Sequence, residues 1–349
     1  MSFSEKILLW YSKNKRSLPW RNTNEPYKIW LSEIMLQQTR VAQGTPYYLK
    51  FLEHFPTVED LAMAKEEKVM KLWQGLGYYS RARNLHATAK MVSETYRGEF
   101  PNSYKGLLKL KGVGDYTASA IASICYNEPE PVVDGNVYRV LARYFGVDIA
   151  INSTEGGRYF KNLAREVMDT SHCRDYNQGI MEFGAIQCTP QKPYCLHCPL
   201  SESCMALQQN KITELPVKIR KNKVKARYFN YMVILDKNKK TYLKQRLGKG
   251  IWQNLFEFPL LESKREIDLE DVKAGMGQVV SLKNITAIYP YNESKKIVHK
   301  LSHQHLHTKF WIVETNDMLK KAVAFDTLED YAVPVLIADF INAFKNSYF

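Results

Sequence analysis

Two carboxylates and four thiols are the groups of this sequence best suited by type and spacing to do chemistry. Glu33 lies in IWLSEIMLQQTRVAQ, where Ile29, Leu31, Ile34, Met35 and Val41 predict a helix over about 28–43. Glu33, Gln37 and Arg40 share its other face at four- and three-residue steps. A carboxylate on a mostly buried helix is unusual, and its bland role is a salt bridge or a cap on a neighbour. Asp134 precedes GNVYRVLARYFGV, a predicted helix over about 135–145, so it reads as an N-cap whose carboxylate accepts helix N–H bonds. Such bonds favour the charged form, so capping is compatible with a catalytic anion. Four of the six cysteines, Cys188, Cys195, Cys198 and Cys204, fall in one short run. In a reducing compartment that clustering speaks for metal rather than disulfides, and it suits either tetrahedral zinc or a cubane iron–sulfur cluster. Only one Cys-x-x-Cys pair is present, where a zinc ribbon more often has two, so iron–sulfur is favoured. Cys125 and Cys173 read as buried apolar residues.

These groups need a scaffold, and most of it reads as helix. The stretch LLKLKGVGDYTASAIASICY (about 107–125) predicts a helix end, a tight Gly112-Val113-Gly114 turn and a second helix from about Asp115. That turn can expose backbone N–H groups to an anion such as a nucleic-acid phosphate, or it can simply reverse the chain. Further helices are expected at 4–14, 46–54, 57–63, 66–73, 80–97, 155–170 and 175–187. The loop QGLGYYSRAR (Gln74–Arg83) carries aromatics and arginines that either stack on bases or pack a helix base. From about Thr213 the pattern changes: a basic linker at 213–226, then RYFNYMVILD and TYLKQR joined by DKNKK as a β-hairpin. Strands are expected at 285–290, 296–300 and 305–314, with helices near 269–274 and 331–346.

A chain of 349 residues exceeds one typical core, so two domains are expected: an all-α first and an α+β second. The net charge of +13 favours a polyanionic partner without distinguishing DNA, RNA or a membrane surface. No apolar run is long enough to span a bilayer, and the N-terminus reads as an amphipathic helix rather than a signal peptide. A soluble cytoplasmic protein is therefore expected, nucleoid-associated if bacterial.

The motifs LKGVGDYTASAIA and VDGNVYRV, with the four-cysteine run, resemble the helix–hairpin–helix DNA glycosylase superfamily. LPWR, SEIMLQQTRV and GLGYYSRARNLH are similar to its adenine DNA glycosylases of the MutY type. The likeness is strong over about 1–210 and looser beyond. It implies an all-α catalytic domain at 1–212 with an iron–sulfur module (188–204), and a Nudix-like domain at 227–349 that recognises 8-oxoguanine. It implies excision of adenine mispaired with 8-oxoguanine or guanine in duplex DNA, leaving an abasic site, by a monomer holding a [4Fe–4S] cluster on Cys188, Cys195, Cys198 and Cys204.

By the same resemblance, Glu33 protonates the everted adenine and later helps activate water. Asp134 faces the developing sugar cation, and Tyr116 and Asn136 orient the pair. Arg21, Gln38, Thr39, Leu76, Tyr78, Gly112, Val113 and Gly114 are the implied DNA contacts, with Tyr78 as a wedge. Tyr116 stands where glycosylases that also cut the backbone carry a lysine, so no dedicated lyase activity is expected. In the Nudix-like part, IWQNLFEFP (Ile251–Pro259) fits the family. HKLSHQHLH carries Ser302 and His303 as contacts to the oxidised base, with Leu301 replacing the usual aromatic. The histidines at 299, 303, 305 and 307 read as base contacts or surface before metal ligands.

Three rivals remain. A thymine-glycol glycosylase/lyase shares the hairpin and the cluster. A Nudix hydrolase is echoed by Glu257 and Arg265-Glu266-Ile267, although Ile251, Leu269 and Lys273 depart from that metal motif. The third is a catalytically silent iron–sulfur DNA-binding protein.

Overall fold

The computed structural model describes residues 1–219, 224–291 and 296–348. Part of the expected linker, residues 220–223, lies outside the described residues. The chain separates into two compact units, Met1–Ala64 with Arg83–Arg220, and Lys65–Ala82 with Lys221–Phe349.

Among the described residues, twelve α-helices precede the first strand: α1 (Phe3–Asn14), α2 (Pro26–Leu36), α3 (Val41–His54), α4 (Val58–Met63), α5 (Glu66–Trp73), α6 (Ser80–Tyr96), α7 (Tyr104–Leu107), α8 (Asp115–Tyr126), α9 (Gly135–Phe145), α10 (Thr154–Val167), α11 (Cys173–Glu182) and α12 (Met205–Gln208). Local chemistry explains their ends. Ser2 and Thr57 form capping boxes with Glu5 and Asp60. Pro26 opens α2 at a position where its missing N–H costs nothing.

The α2 helix is buried almost all round, from Tyr27 to Met35, which is the burial pattern of a central helix. The expected single helix over 28–43 is broken: α2 stops at Leu36, and α3 starts at Val41. Gln38 adopts φ +57 between them, a left-handed kink that no Gly or Asn announces. Arg40 therefore leaves the face it was expected to share with Glu33. A second departure follows α11, where Phe183–Gln187 widens into a π-turn instead of continuing the helix to 187.

The second unit contains a five-stranded mixed sheet of order β4-β1-β7-β5, with β6 also on β7. Its strands are β1 (Lys225–Asp236), β4 (Leu260–Ser263), β5 (Ile285–Pro290), β6 (Ile297–Lys300) and β7 (Gln304–Thr315). The expected hairpin between RYFNYMVILD and TYLKQR does not form. The chain turns at Asp236–Lys240 as the sequence suggests, yet β1 pairs in parallel with β7 and antiparallel with β4. Of TYLKQR, only β2 (Lys244–Gln245) is strand, on β3 (Phe256–Glu257). A local pattern of alternation says that a strand exists, not which strand it joins. Met232, Ile234, Trp311 and Val313 pack against α13 (Leu269–Met276) through Val272 and Met276. The C-terminal helix α14 spans Val335–Tyr348, and its Phe340 stacks on Phe310 with ring centroids 3.9 Å apart.

Candidate active site

Glu33 is drawn into the first unit by the burial of α2 and is 8% exposed. The Tyr116 hydroxyl, one residue into α8, donates to Glu33 Oε2 at 2.6 Å. Burial pushes the Glu33 carboxyl up to about 7; Asp134 adds to the rise, while the Tyr116 hydrogen bond and the Arg21 charge oppose it. A carboxyl titrating there carries a proton for part of the time at neutral pH, as a general acid requires. Burial and the neighbouring carboxylates keep the Tyr116 phenol protonated, its pKa well above the ordinary value.

Asp134 caps α9 as expected. Its Oδ1 accepts from the backbone N–H groups of Asn136 and Val137, and its Oδ2 from Asn136 Nδ2, each at 2.8 Å. The expectation that these bonds set the balance is not met: burial outweighs them and raises the carboxyl above its ordinary value. Asn136 is itself held, since Arg139 Nη2 donates to Asn136 Oδ1 at 2.9 Å and to Gly184 O at 2.6 Å. A Cβ on Gly184 would come within 2.7 Å of Asn136 Cβ, so the π-turn has to present glycine here.

The same helix reaches the cysteine run. Arg139 Nε donates to Cys188 O at 2.7 Å. Arg143 Nη1 lies 3.5 Å from Cys188 Sγ and donates to Thr189 O at 2.8 Å. Cys188, Cys195, Cys198 and Cys204 line one small cavity walled by Pro193, Leu207 and Ile212. Among the described residues, no three of them gather round a point where a single ion would sit. Four soft donors around an apolar cavity suit a thiolate-bound metal centre.

The hairpin has one constrained glycine and one open one. Gly112 takes φ +76, and a Cβ there would meet Asn84 Cβ at 2.7 Å. Gly114, which caps α8, has open space where its Cβ would be. Val113 is buried, so only its backbone is available. Gln38 is exposed and Thr39 half-buried on the kink after α2. Tyr78 is exposed at φ +47, whereas Leu76 is buried, which withdraws its side chain from the expected DNA-facing set. Arg21 is half-buried, and its guanidinium binds Glu182 and lies over the Tyr11 ring. Glu182 itself was not singled out in the sequence, because its arginine partners lie far away along the chain.

In the second unit, Ser302 and His303 are exposed at the β6–β7 turn. His307 stacks on Tyr228 and His299 sits beside Trp252. Of the acids of the partial hydrolase motif, Glu257 is buried and engaged by Arg246 and Tyr231, whereas Glu266 lies at the surface in an ion pair with Lys309.

Residues 31–166 match the HhH-GPD superfamily of base excision DNA repair proteins, and residues 230–343 match the NUDIX domain. The chain is 35% identical over 317 residues to the adenine DNA glycosylase of Buchnera aphidicola subsp. Baizongia pistaciae, covering 89% of this chain and 86% of that one. It is 31% identical over 364 residues to that of Schizosaccharomyces pombe, covering 86% and 79%. Identity to the human adenine DNA glycosylase is 43% over 217 residues, covering 60% and 40%. Among solved structures, a thermostable thymine-DNA glycosylase superposes with TM-score 0.56 at 33% identity, over 59% of this chain and 95% of that one. A non-covalent endonuclease III–DNA complex superposes with TM-score 0.52 at 22% identity, over 59% and 94%, which shows the shared fold. Among the described residues no helix is long and apolar enough to cross a membrane.

Proposed function

This chain belongs to the adenine DNA glycosylase family, hydrolases of the N-glycosidic bond in base excision repair, and we propose that its substrate is adenine opposite 8-oxoguanine or guanine in duplex DNA. The observation that carries the reading is the pairing of Tyr116 with a Glu33 that titrates near neutrality, with Asp134 electrostatically coupled to both.

The adenine must leave the stack to be reached, at a cost of a few kcal/mol that is smallest for a mispair. Glu33 then gives its proton to the ring. The glycosidic bond breaks, and its electron pair leaves with the neutralised base. Asp134 faces the cationic sugar; that charge favours its ionised form against burial, and the three hydrogen bonds from Val137 and Asn136 hold it in place. Water adds to the sugar and returns a proton to Glu33. The products are adenine and an abasic site.

The enzyme is monofunctional in this reading. Tyr116 has no amine with which to attack the sugar, Lys111 is exposed ahead of the hairpin glycines, and Lys161 is engaged by Asp115, Ser119 and Pro131 O. Gln38, Thr39, Tyr78 and the backbone at Gly112–Gly114 contact the DNA, the hairpin by positioning phosphate without reading sequence. Ser302 and His303 probe 8-oxoguanine from the second part of the chain. We assign the catalytic domain to 1–212, the linker to 213–226 and the recognition domain to 227–349, acting as a cytoplasmic monomer. Cys188, Cys195, Cys198 and Cys204 would hold a [4Fe–4S] cluster, which when bound would fix the loop they share. The buried pairing of Glu257 with Arg246 and Tyr231 favours a sensor over a metal-dependent hydrolase.

Single-turnover cleavage tests the proposal on duplexes carrying adenine opposite 8-oxoguanine, guanine or thymine, and thymine glycol opposite adenine. Fast release of adenine from the first two, without a borohydride-trapped adduct, is expected. Release confined to the oxidised pyrimidine, with a lysine-dependent adduct, would overturn it.

A further inference from the structure

Lys65–Ala82, which carries α5 and the Tyr78 loop, precedes the strands by well over a hundred residues yet folds as part of the second compact unit. Glu66 opens α5, and its Oε1 accepts from Asn254 Nδ2 at 2.6 Å. Lys71 Nζ donates to Tyr331 O at 3.3 Å, and Gln74, just past the helix, accepts from Val333 N through Oε1 at 3.3 Å. The two segments that receive α5 are tied to each other: Phe256 N donates to Ala332 O at 2.8 Å, and the Phe256 and Tyr331 ring centroids are 4.9 Å apart. Contacts run both ways from this dock. Toward the loop, Trp73 Nε1 and Arg81 Nη2 both donate to Gly77 O, at 3.0 and 3.1 Å. The buried Arg81 guanidinium lies 5.2 Å from the Trp73 ring centroid and 5.5 Å from that of the exposed Tyr78. Toward the strands, Trp252 lies beside His299 of β6 with ring centroids 5.7 Å apart, and the turn joining β6 to β7 carries Ser302 and His303.

We propose that this docking makes the Tyr78 wedge and the Ser302–His303 probe parts of one body, with Glu66 and Asn254 as positioning residues that set the preference for 8-oxoguanine over guanine. The proposal rests on the reading above of Tyr78 as the wedge and of Ser302 and His303 as contacts to the oxidised base. Hydrogen bonds that the probe gains only on 8-oxoguanine then hold the whole body on the duplex, and Tyr78 with it, which helps offset the cost of extruding the adenine. With α5 released, the probe still binds the oxidised base, but that binding no longer orders the wedge.

The test is single-turnover adenine release by the full chain, with enzyme in excess of DNA but below saturation, on duplexes pairing adenine with 8-oxoguanine and with guanine. The readout is the ratio of the two rates. Glu66→Ala and Asn254→Gly each remove the hydrogen bond, and glycine keeps the left-handed φ of +67 at position 254. Each should lower the ratio about three- to tenfold, whereas Glu66→Gln, which still accepts from Asn254, should keep it. Added to Tyr78→Ala, neither should lower the ratio further, because the wedge they position is gone; a fully additive fall would overturn the proposal. So would a ratio unmoved by both Glu66→Ala and Asn254→Gly in a protein where Tyr78→Ala and Ser302→Ala lower it, and the reading of wedge and probe would then stand. A ratio that Tyr78→Ala and Ser302→Ala also leave unmoved would sink that reading, and the proposal with it.

Discussion

Tyr116 donates its hydroxyl to Glu33 across the interface between α8 and α2, at 2.6 Å. The bond stabilises the carboxylate form of Glu33 against a burial that favours the acid. Removing it in Tyr116→Phe should raise the Glu33 titration, so the alkaline limb of adenine release moves to higher pH while the acid-side rate falls through lost orientation. A pH profile separates the two effects.

Glu33 also makes a statement about stability. Its folded pKa of about 7 lies above the ordinary 4.5, so the folded state holds the extra proton between those values. Stability is therefore highest below pH 4.5 for this group and declines as pH rises through 7, by up to about 3 kcal/mol. Glu33→Gln should abolish adenine release, by roughly 10²- to 10⁴-fold from loss of the acid alone. It should also raise the melting temperature at pH 8 but not at pH 4. Denaturation at the two pH values checks this.

Asp134 serves as both cap and charge, and two substitutions separate those roles. Asn is as good an N-cap as Asp, so Asp134→Asn should melt near the wild type yet lose most single-turnover activity. Asp134→Ala should lose activity and a further ~1 kcal/mol of stability.

The two hairpin glycines should respond differently. Gly112→Ala meets both a left-handed φ and Asn84, and should cost about 1–3 kcal/mol. Gly114→Ala has ordinary φ and open space, so folding should be unaffected. If phosphate approaches there, affinity for duplex DNA should fall several-fold, as a titration at fixed salt would show.

What the sequence revealed and what it concealed follow from the range of each interaction. The cap at Asp134 and the turn at Gly112 are settled within a few residues, and their residue types state them. The kink at Gln38 is equally local but carries no marker residue, so apolar spacing runs straight through it. The partner of β1 and the arginines of Glu182 lie far along the chain, where periodicity has nothing to say. Glu33 and Asp134 were legible because their surrounding motifs are distinctive. The net direction of the Asp134 shift was not, because it depends on how much protein surrounds the carboxyl.

The parallel pairing of β1 with β7 has a consequence for how the chain is made. β1 emerges early in its unit, but the neighbour that completes it along its full length is synthesised only near the C-terminus. Until Gln304–Thr315 leaves the ribosome, the edge bearing Phe229, Tyr231 and Val233 stands open to other chains. Nonsense mutations shortly before Gln304 should therefore yield aggregates rather than a shorter soluble product.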